Sequence, residues 1–416
     1  MKQYKREVVD RWSFRTANTK EYTHCYHAYP AMMIPQVARC LIEEFKPTGR
    51  CEVLFDPYCG SGTSLVEASL KGMNSIGTDL NPLARLISRV KTTRYEEEKI
   101  NTIFLILQDQ MARYDETLVI ARNFDRISNA SYWYTEQILL KLSYLSQLID
   151  KLAGECADFF KVALSEVVRE SSFTRNGEFK RFRMTEAQIR VFNPDVFKLF
   201  EEKVLRNIKG LMEFNRAVKK CRVSICDFNS SSTIPEQILP KGTVDMVVTS
   251  PPYGDSRTTV AYGQFSRWSN EWFEFEYARN LDNILMGGGK CSEERFETES
   301  IQAELEQIKQ RDQGRYSEVV AFLNDYWASI QHVAPTIRRG GVVCYVVGNR
   351  NVKGVQIPLD YFTAEMFEKM GFEHETTIVR EIPNKRMPSK TSPTNQKGVK
   401  VGTMKNEYIV IMKKRD

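Results

Sequence analysis

The chain has 416 residues, of which 42% are hydrophobic and 27% charged, a composition typical of a soluble globular protein with one large core or two modest ones. The formal net charge of +6 is compatible with a polyanionic partner. No apolar run approaches the roughly 20 residues that span a bilayer, and the charged start M-K-Q-Y-K-R is unlike a signal peptide, so no membrane association is expected. The nine cysteines are scattered without a C-x-x-C pair, which argues against a disulfide framework and against a metal site.

Residues 1–95 are predicted to hold a leading helix and one βαβ unit. Apolar residues at helical spacing over Pro30 to Phe45 predict a helix that begins at a proline. An aspartate ends each strand of the unit, Asp56 the first and Asp79 the second. The unit comprises a strand over Cys51 to Phe55, a glycine turn, a helix over Thr63 to Lys71 closed by Gly72, and a strand over Met73 to Thr78.

Residues 96–220 are predicted to form a mostly helical insertion. Long amphipathic stretches, such as Tyr134 to Leu152 and Val196 to Phe214, flank the polar segment Ser171 to Arg183. The whole stretch is far longer than the usual connection of roughly 4 to 6 residues. It is therefore expected to be a subdomain.

Residues 221–416 return to a sheet-like pattern. Strands are predicted at Arg222 to Cys226, ending in Asp227, and at Val244 to Val248, ending in the turn T-S-P-P-Y. A second polar insertion is expected near 254–316. Beyond it, the pattern predicts a helix over Tyr326 to Arg338, a break at Gly340 and Gly341, a strand over Val342 to Val347, and an antiparallel pair over Glu375 to Ile382 and Tyr408 to Lys413 joined by a basic loop near 385–400.

Strands separated by helices predict an α/β fold with a parallel, doubly wound, Rossmann-like sheet. In such sheets, ligands bind outside the carboxyl ends of the strands. Asp56, Asp79, Asp227 and the T-S-P-P-Y turn each follow a predicted strand. The sequence therefore predicts one functional edge of the sheet.

The sequence D-P-Y-C-G-S-G-T-S, from Asp56 to Ser64, predicts a turn that binds a nucleotide-like cofactor. Gly60 and Gly62 allow a tight turn close to a ligand, and free amide hydrogens of the following helix face the ligand's polar groups. A dinucleotide enzyme would use the same elements. Leu65, however, stands where a dinucleotide site has its third glycine.

The T-S-P-P-Y turn suits a flat aromatic amine. Such an amino group is a poor nucleophile because its lone pair is delocalised, and acceptors aimed at its hydrogens favour the geometry that attacks. Ser250 Oγ and the Pro251 carbonyl are the predicted acceptors, Pro252 stiffens the turn, and Tyr253 offers a stacking face. The chain has no P-C dipeptide, so no cysteine nucleophile in that setting is expected.

Together, the two motifs resemble those of the S-adenosylmethionine-dependent amino-methyltransferases of DNA. The D-P-x-x-G-x-G form is similar to the family's cofactor motif, with Tyr58 where the family more often has phenylalanine. The S-P-P-Y form resembles the cytosine-N4 branch, which includes modification enzymes of restriction systems. The resemblance implies S-adenosylmethionine as cofactor and a sheet that ends in an antiparallel strand pair.

The resemblance also assigns cofactor contacts. In the family, a carboxylate after the second strand holds the ribose hydroxyls and a polar residue after the third contacts the adenine amino group, and Asp79 and Asp227 match these positions. The stretch Tyr29 to Pro35 resembles the element that closes over the methionine moiety. The alternative for each aspartate is a solvated or capping role. The expected cofactor-binding residues are Tyr29, Pro30, Asp56, Tyr58, Gly60, Gly62, Thr63, Asp79 and Asp227.

Double-stranded DNA is the partner that the resemblance implies, and insertion 96–220 is the candidate target-recognition subdomain. The candidate contacts are basic residues among phenylalanines in that insertion, residues beside the S-P-P-Y turn, and the basic loop. A solvated charged surface is the alternative for the first group, and a disordered segment for the loop. The candidates are Arg175, Lys180, Arg181, Arg183, Arg257, Tyr262, Arg267, Lys385, Arg386 and Lys390.

The expected function is sequence-specific transfer of a methyl group to the amino nitrogen of a flipped base, without a covalent intermediate. Serine rather than aspartate or asparagine at position 250 favours cytosine N4 over adenine N6. The alternatives are adenine-N6 methylation, methylation of guanosine N2 in tRNA, and a non-catalytic DNA-binding protein that kept the fold. The expectation includes a bacterial or archaeal cytoplasm and allows a cognate restriction endonuclease as a partner.

Overall fold

The structure is a computed structural model that describes residues 3–47, 49, 51–119, 124–152, 154–175, 177, 179–255, 260–382, 390–391, 401–402 and 404–416. Within these ranges the strands are β1 (Arg6–Val8), β2 (Val53–Asp56), β3 (Asn74–Thr78), β4 (Val223–Cys226), β5 (Val244–Thr249), β6 (Ile337–Val347), β7 (Asn351–Val352), β8 (Val355–Gln356), β9 (Phe372–Glu381), β10 (Lys390–Thr391), β11 (Val401–Gly402) and β12 (Asn406–Lys414). The helices are α1 (Pro35–Phe45), α2 (Thr63–Lys71), α3 (Pro82–Thr92), α4 (Glu97–Ala112), α5 (Ala130–Trp133), α6 (Glu136–Asp150), α7 (Glu155–Glu170), α8 (Glu186–Val191), α9 (Val196–Ala217), α10 (Tyr262–Trp272), α11 (Leu281–Ile284), α12 (Gln302–Arg311), α13 (Gln313–Thr336) and α14 (Leu359–Lys369).

Eight strands form one sheet in the order β1-β9-β12-β6-β5-β2-β3-β4. Neighbours from β6 to β4 pair in parallel, whereas β12 lies antiparallel to both β6 and β9. The chain runs outward from β2 through β3 to β4 and then returns to place β5 on the other side of β2. The predicted doubly wound sheet with a terminal antiparallel pair is confirmed, and its strand order reverses between β2 and β5.

The βαβ unit follows directly from local sequence. Helix α2 has the predicted bounds and ends at Gly72, whose φ of 79° is a left-handed conformation that glycine adopts without strain. The leading helix begins at Pro35 and not at Pro30 as predicted. Pro35 occupies the first helical position after the extended Ile34, while Ala31 has a φ of 52° that interrupts any earlier helix.

The helix predicted over Tyr326 to Arg338 begins and ends earlier than predicted, and no break at Gly340 and Gly341 separates it from the strand that follows. Helix α13 begins at Gln313, where Asp312 caps it by accepting a hydrogen bond from the Arg315 amide at 2.9 Å. Strand β6 then begins at Ile337 and runs through Gly340, whose φ is 68°. The pairing of β5 with β6 shifts register there, so the glycines form an irregularity inside the strand and not a loop.

The helices α4 to α9 occupy the place of the predicted insertion. One hydrophobic core joins all of them except α8 to α3, to Tyr26 and Tyr29, and to α10 of the second insertion. That second insertion is not polar throughout as predicted, because Trp268 and Trp272 of α10 are at most 1% exposed. In the part of the chain that the structure describes, no helix is both long enough and apolar enough to cross a membrane.

Candidate active site

A cleft opens at the carboxyl ends of β2, β3 and β5, beside the reversal in strand order. It encloses about 990 Å³ of empty space, part of which is open to solvent. The described residues that line it are 29–33, 56–61, 63–64, 79–81, 228–230 and 285–286, together with Ser250, Pro252 and Tyr262. The glycine turn and the S-P-P-Y turn therefore share one cleft although nearly 200 residues separate them in sequence.

The glycine turn needs glycine at two positions for different reasons. Gly60 and Gly62 have φ values of 48° and 78°, which favour glycine. A Cβ on Gly62 would also lie 2.9 Å from Ser88 Oγ and 3.1 Å from Ser88 Cα, so α3 leaves it no room. Gly60 and Thr63 line the cleft, whereas Gly62 lets the turn pack against α3 and start α2.

Asp79 is held in a fixed orientation at the end of β3. Its two carboxylate oxygens accept hydrogen bonds from the Gly60 amide at 3.0 Å and the Asn81 amide at 2.8 Å. Burial raises the pKa of Asp79, and these two amides together with the Arg85 charge act against that rise. The carboxylate oxygens retain lone pairs, and Asp79 lines the cleft.

Asp56 connects the two signature turns. It is 3% exposed and accepts hydrogen bonds from Thr249 Oγ1 at 2.5 Å, from the Tyr58 amide at 3.1 Å, and from Ser64 Oγ. Burial raises the pKa of Asp56 to about 6, although these hydrogen bonds oppose the rise. The aspartate of the first motif thus holds the threonine that precedes S-P-P-Y.

The raised pKa of Asp56 predicts a pH dependence of stability. Between about pH 4 and 6 the folded protein binds this proton more tightly than the unfolded chain, so the contribution of Asp56 to stability is fully present below pH 4 and is lost as pH rises through 6. Asp56→Asn is expected to flatten this fall by up to about 3 kcal/mol. Chemical denaturation across this range measures it, with the exposed Asp10→Asn as control. Parallel curves for wild type and Asp56→Asn would contradict the assignment.

The segment before α1 forms one wall of the cleft. Tyr29 is 6% exposed, accepts a hydrogen bond on its hydroxyl from Asn81 Nδ2 at 2.8 Å, and stacks on Tyr262 with ring centroids 5.9 Å apart. Pro30 lies beside it in the wall. Because Tyr262 belongs to α10, the second insertion and the N-terminal segment meet over the cofactor turn.

A smaller cavity of about 300 Å³ adjoins the cleft at the S-P-P-Y turn. All four residues of Ser250 to Tyr253 line it. Ser250, Pro252 and Tyr262 border both cavities. Ser250 Oγ donates to the Val346 carbonyl and lies 3.1 Å from the Tyr253 hydroxyl. Two ligands in the two cavities would therefore meet at Ser250.

Comparison with known proteins shows the family to which the chain belongs. Residues 21–114 match the family described as RMKL-like, methyltransferase domain. Among solved structures, the rRNA methyltransferase aviRa from Streptomyces viridochromogenes aligns with 93% of this chain and 88% of its own, with a TM-score of 0.31 and 11% identity. The type II methyltransferase M.BsoBI of Geobacillus stearothermophilus is 21% identical over 86% of this chain and 80% of its own. The type II methyltransferase M.MvaI of Kocuria varians is 37% identical over 96% of this chain and 93% of its own. The chain belongs to the type II DNA methyltransferases.

After β4, the cleft of the methyltransferase is lined by Phe228 and Asn229 and not by Asp227, the residue that was expected to contact the adenine of the cofactor. Asp227 is exposed and is not among the described residues that line the cleft. Phe228 and Asn229, the next two residues, do line it. Their position directly after a strand end was a signal for them, but the sequence alone does not say which residue after β4 turns inward. We therefore move the proposed adenine contact from Asp227 to Phe228 and Asn229.

Tyr58 of the methyltransferase lies in the cleft wall and is anchored from behind. Its hydroxyl donates to Ser329 Oγ at 2.5 Å, and Ser329 in turn donates to Ser230 Oγ at 3.0 Å. Burial raises the pKa of Tyr58, so the phenol remains protonated. The tyrosine in place of the family's usual phenylalanine thus ties the glycine turn to α13.

The candidate DNA contacts of the first insertion differ in exposure. Arg175 is exposed, whereas Lys180 is partly buried. The Arg181 guanidinium lies 4.8 Å from the Trp268 ring centroid, and burial lowers its pKa. Arg183 lies 4.3 Å from the ring centroid of Tyr132, which is half exposed. Arg183 is itself partly buried and forms an ion pair with Glu186, so Arg175 is the only one of these four side chains that is exposed.

Two candidate DNA contacts of the second insertion, Arg267 and Tyr262, make contacts within the protein itself. Arg267 Nε forms an ion pair with Glu271 at 2.6 Å and its Nη1 donates to the Arg279 carbonyl at 2.7 Å. Tyr262 borders both cavities of the methyltransferase. Arg257, Lys385, Arg386 and the side chain of Lys390 lie outside the described part of the structure.

Proposed function

We propose that this methyltransferase transfers a methyl group from S-adenosylmethionine to N4 of a cytosine flipped out of double-stranded DNA. Sequence-specific DNA methylation with S-adenosylmethionine follows from membership of the family. The choice of cytosine N4 as the methylated atom goes beyond that membership. The observation that carries it is Ser250, which borders both cavities. A serine hydroxyl there offers a small, uncharged acceptor to one hydrogen of an exocyclic amino group.

The cleft residues fit the cofactor. Asp79 presents carboxylate oxygens that suit the two ribose hydroxyls. Phe228 and Asn229 offer a flat surface and an amide to the adenine, and the amino terminus of α2 at Thr63 suits the methionine carboxylate. When bound, S-adenosylmethionine supplies a methyl group that the sulfonium charge has already activated.

The protein's own contribution is to position the amino group and accept its hydrogens. Ser250 Oγ and the Pro251 carbonyl accept hydrogen bonds from the two amino hydrogens. These bonds favour a pyramidal amino nitrogen over a planar one whose lone pair is delocalised into the ring. The Tyr253 ring covers one face of the base. Such stacking contributes about 1 to 3 kcal/mol and offsets part of the cost of extruding the base.

The cysteine in the cleft wall does not supply a nucleophile. Cys59 is 5% exposed, and burial raises the pKa of its thiol well above the usual value. A thiol in this environment is a poor nucleophile because the thiolate is the reactive form. This supports direct transfer without a covalent intermediate.

The helical insertion 96–220 is the proposed target-recognition subdomain. Arg183 and the exposed Phe182 lie on its polar segment, and the Arg183 guanidinium lies over the exposed ring of Tyr132 in α5, so this surface offers charge and aromatic rings to DNA. Basic residues here would contact phosphates and base edges, while the S-P-P-Y cavity receives the flipped base. A cognate restriction endonuclease remains part of this proposal as a partner in the cell.

Product analysis tests the proposal. The protein is incubated with methyl-labelled S-adenosylmethionine and either unmethylated genomic DNA or bulk tRNA, and the nucleic acid is digested to nucleosides. Label in N4-methylcytosine from DNA is the expected result. Label in N6-methyladenine would show that the target is adenine N6 and not cytosine N4. Label in 5-methylcytosine, or in tRNA alone, would overturn the amino-transfer proposal for DNA.

A further inference from the structure

A chain of hydrogen bonds connects Ser250 to a carboxylate on the far strand β12. The Tyr253 hydroxyl donates to Glu407 Oε1 at 3.0 Å, and the other oxygen of Glu407 forms an ion pair with Arg380 Nη1. Arg380 is 5% exposed, and its Nε donates to the Trp12 carbonyl at 2.8 Å. Glu407 is therefore held on both carboxylate oxygens.

The hydrogen bonds determine where each hydroxyl proton lies. A carboxylate only accepts, so the Tyr253 proton is directed to Glu407. Burial and the neighbouring carboxylate raise the pKa of Tyr253 well above its usual value, so the phenol keeps that proton. The single Ser250 proton then goes to the Val346 carbonyl or to the Tyr253 oxygen, each 3.1 Å away. In either arrangement Ser250 Oγ receives no hydrogen from Tyr253, and Ser250 lines both cavities.

Close packing against the backbone at Gly348 limits movement of the Tyr253 ring on one side. A Cβ on Gly348 would lie 2.5 Å from Tyr253 Cδ2, so the strand end at Gly348 is in close contact with the ring. Glycine at position 348 makes room for the ring, and Glu407 fixes its hydroxyl end. The ring position and the proton direction are therefore set by different residues.

We propose that Glu407 is a positioning residue that keeps Ser250 a hydrogen-bond acceptor for the amino group of the target base. This rests on the amino transfer proposed above. Glu407 acts through Tyr253 and does not contact the base. Arg380 supports it by supplying the opposite charge and by anchoring the strand pair to the Trp12 carbonyl.

The substitution Glu407→Gln tests the proton direction with nearly unchanged shape. The Arg380 guanidinium has donors only, so the amide oxygen turns toward it and the amide nitrogen faces Tyr253. The Tyr253 hydroxyl then accepts from the amide and must donate to Ser250 Oγ. That bond takes one of the two lone pairs of Ser250 Oγ, so the amino group of the base must compete with the Tyr253 hydroxyl for this oxygen.

The experiment compares single-turnover methyl transfer to DNA for Glu407→Gln, Tyr253→Phe and the double variant. Glu407→Gln is expected to slow transfer roughly 10- to 100-fold, with the affinities for S-adenosylmethionine and DNA near those of wild type. Its melting temperature is expected to fall, because the buried Arg380 loses its charged partner. Tyr253→Phe removes the hydroxyl that carries the misdirected proton. The double variant is therefore expected to react like Tyr253→Phe and faster than Glu407→Gln. Glu381→Gln, on the exposed ion pair of neighbouring β9, is the matched control.

Three outcomes would overturn the proposal. If the double variant is slower than either single variant by the product of their effects, Glu407 does not act through the Tyr253 hydroxyl. If Glu407→Gln reacts at the wild-type rate, the proton direction is irrelevant. If Tyr253→Phe does not restore the rate that Glu407→Gln loses, the slow reaction comes from the broken ion pair with Arg380, and the role is structural. Nucleosides from the same reactions identify the base, so N6-methyladenine would overturn only the cytosine assignment, whereas 5-methylcytosine would overturn both.

Discussion

Replacing Ser250 by alanine is expected to lower the single-turnover rate of methyl transfer by roughly 100-fold, the effect of removing one oriented hydrogen-bonding group at a reacting centre. The variant loses the acceptor for one amino hydrogen, and the Pro251 carbonyl remains. The affinity for S-adenosylmethionine should stay within about threefold of wild type, because Ser250 meets the cleft only at its border with the smaller cavity.

The measurement for Ser250→Ala is rapid-quench transfer with calorimetric titration of the cofactor. Ser232→Ala is the matched control, because Ser232 is exposed and does not line the cleft among the described residues. Equal losses of rate and of cofactor affinity in Ser250→Ala would mean that the serine holds the cofactor and not the base.

Replacing Asp79 by alanine is expected to weaken S-adenosylmethionine binding by roughly 100-fold or more, since each of the two hydrogen bonds from the ribose hydroxyls to the carboxylate contributes about 1.5 to 3 kcal/mol. Part of the loss also comes from the Gly60 and Asn81 amides, which lose the carboxylate that they now share. Calorimetric titration of the cofactor measures the change directly.

Asp227→Ala is the informative partner of Asp79→Ala. Both aspartates end neighbouring parallel strands, and the same sequence argument assigned both to the cofactor. Only Asp79 lines the cleft, so Asp227→Ala should bind S-adenosylmethionine like wild type. Comparable weakening of cofactor binding in the two variants would mean that Asp227 contacts the cofactor, and it would contradict the assignment of the adenine contact to Phe228 and Asn229.

Local patterns accounted for the elements that build the cofactor turn. The bounds of α2 follow from the glycines at both of its ends, because left-handed backbone and helix termination depend on a few neighbouring residues. The start of α1 was misplaced because the pattern of apolar residues continues upstream of Pro35, while Ala31 has positive φ, a property that spacing does not reveal.

Elements without a strong local pattern were missed. Strand β1 has three residues, too few for a periodic signal, and is defined by its parallel pairing with β9. Tyr262 was assigned to DNA because it follows the S-P-P-Y turn closely in sequence. In the fold it stacks on Tyr29 and borders both cavities, since α10 packs against the N-terminal segment and the helical insertion.

The sequence by itself determined the α/β class, the glycine turn, the S-P-P-Y turn and the three strand-end aspartates, because each depends on residue types within about ten positions. Only the tertiary structure decided how they combine. The bond from Thr249 to Asp56 and the bond from Tyr253 to Glu407 join residues 193 and 154 positions apart. Strand order and the packing of α10 create these contacts, and no local pattern encodes which distant strands become neighbours.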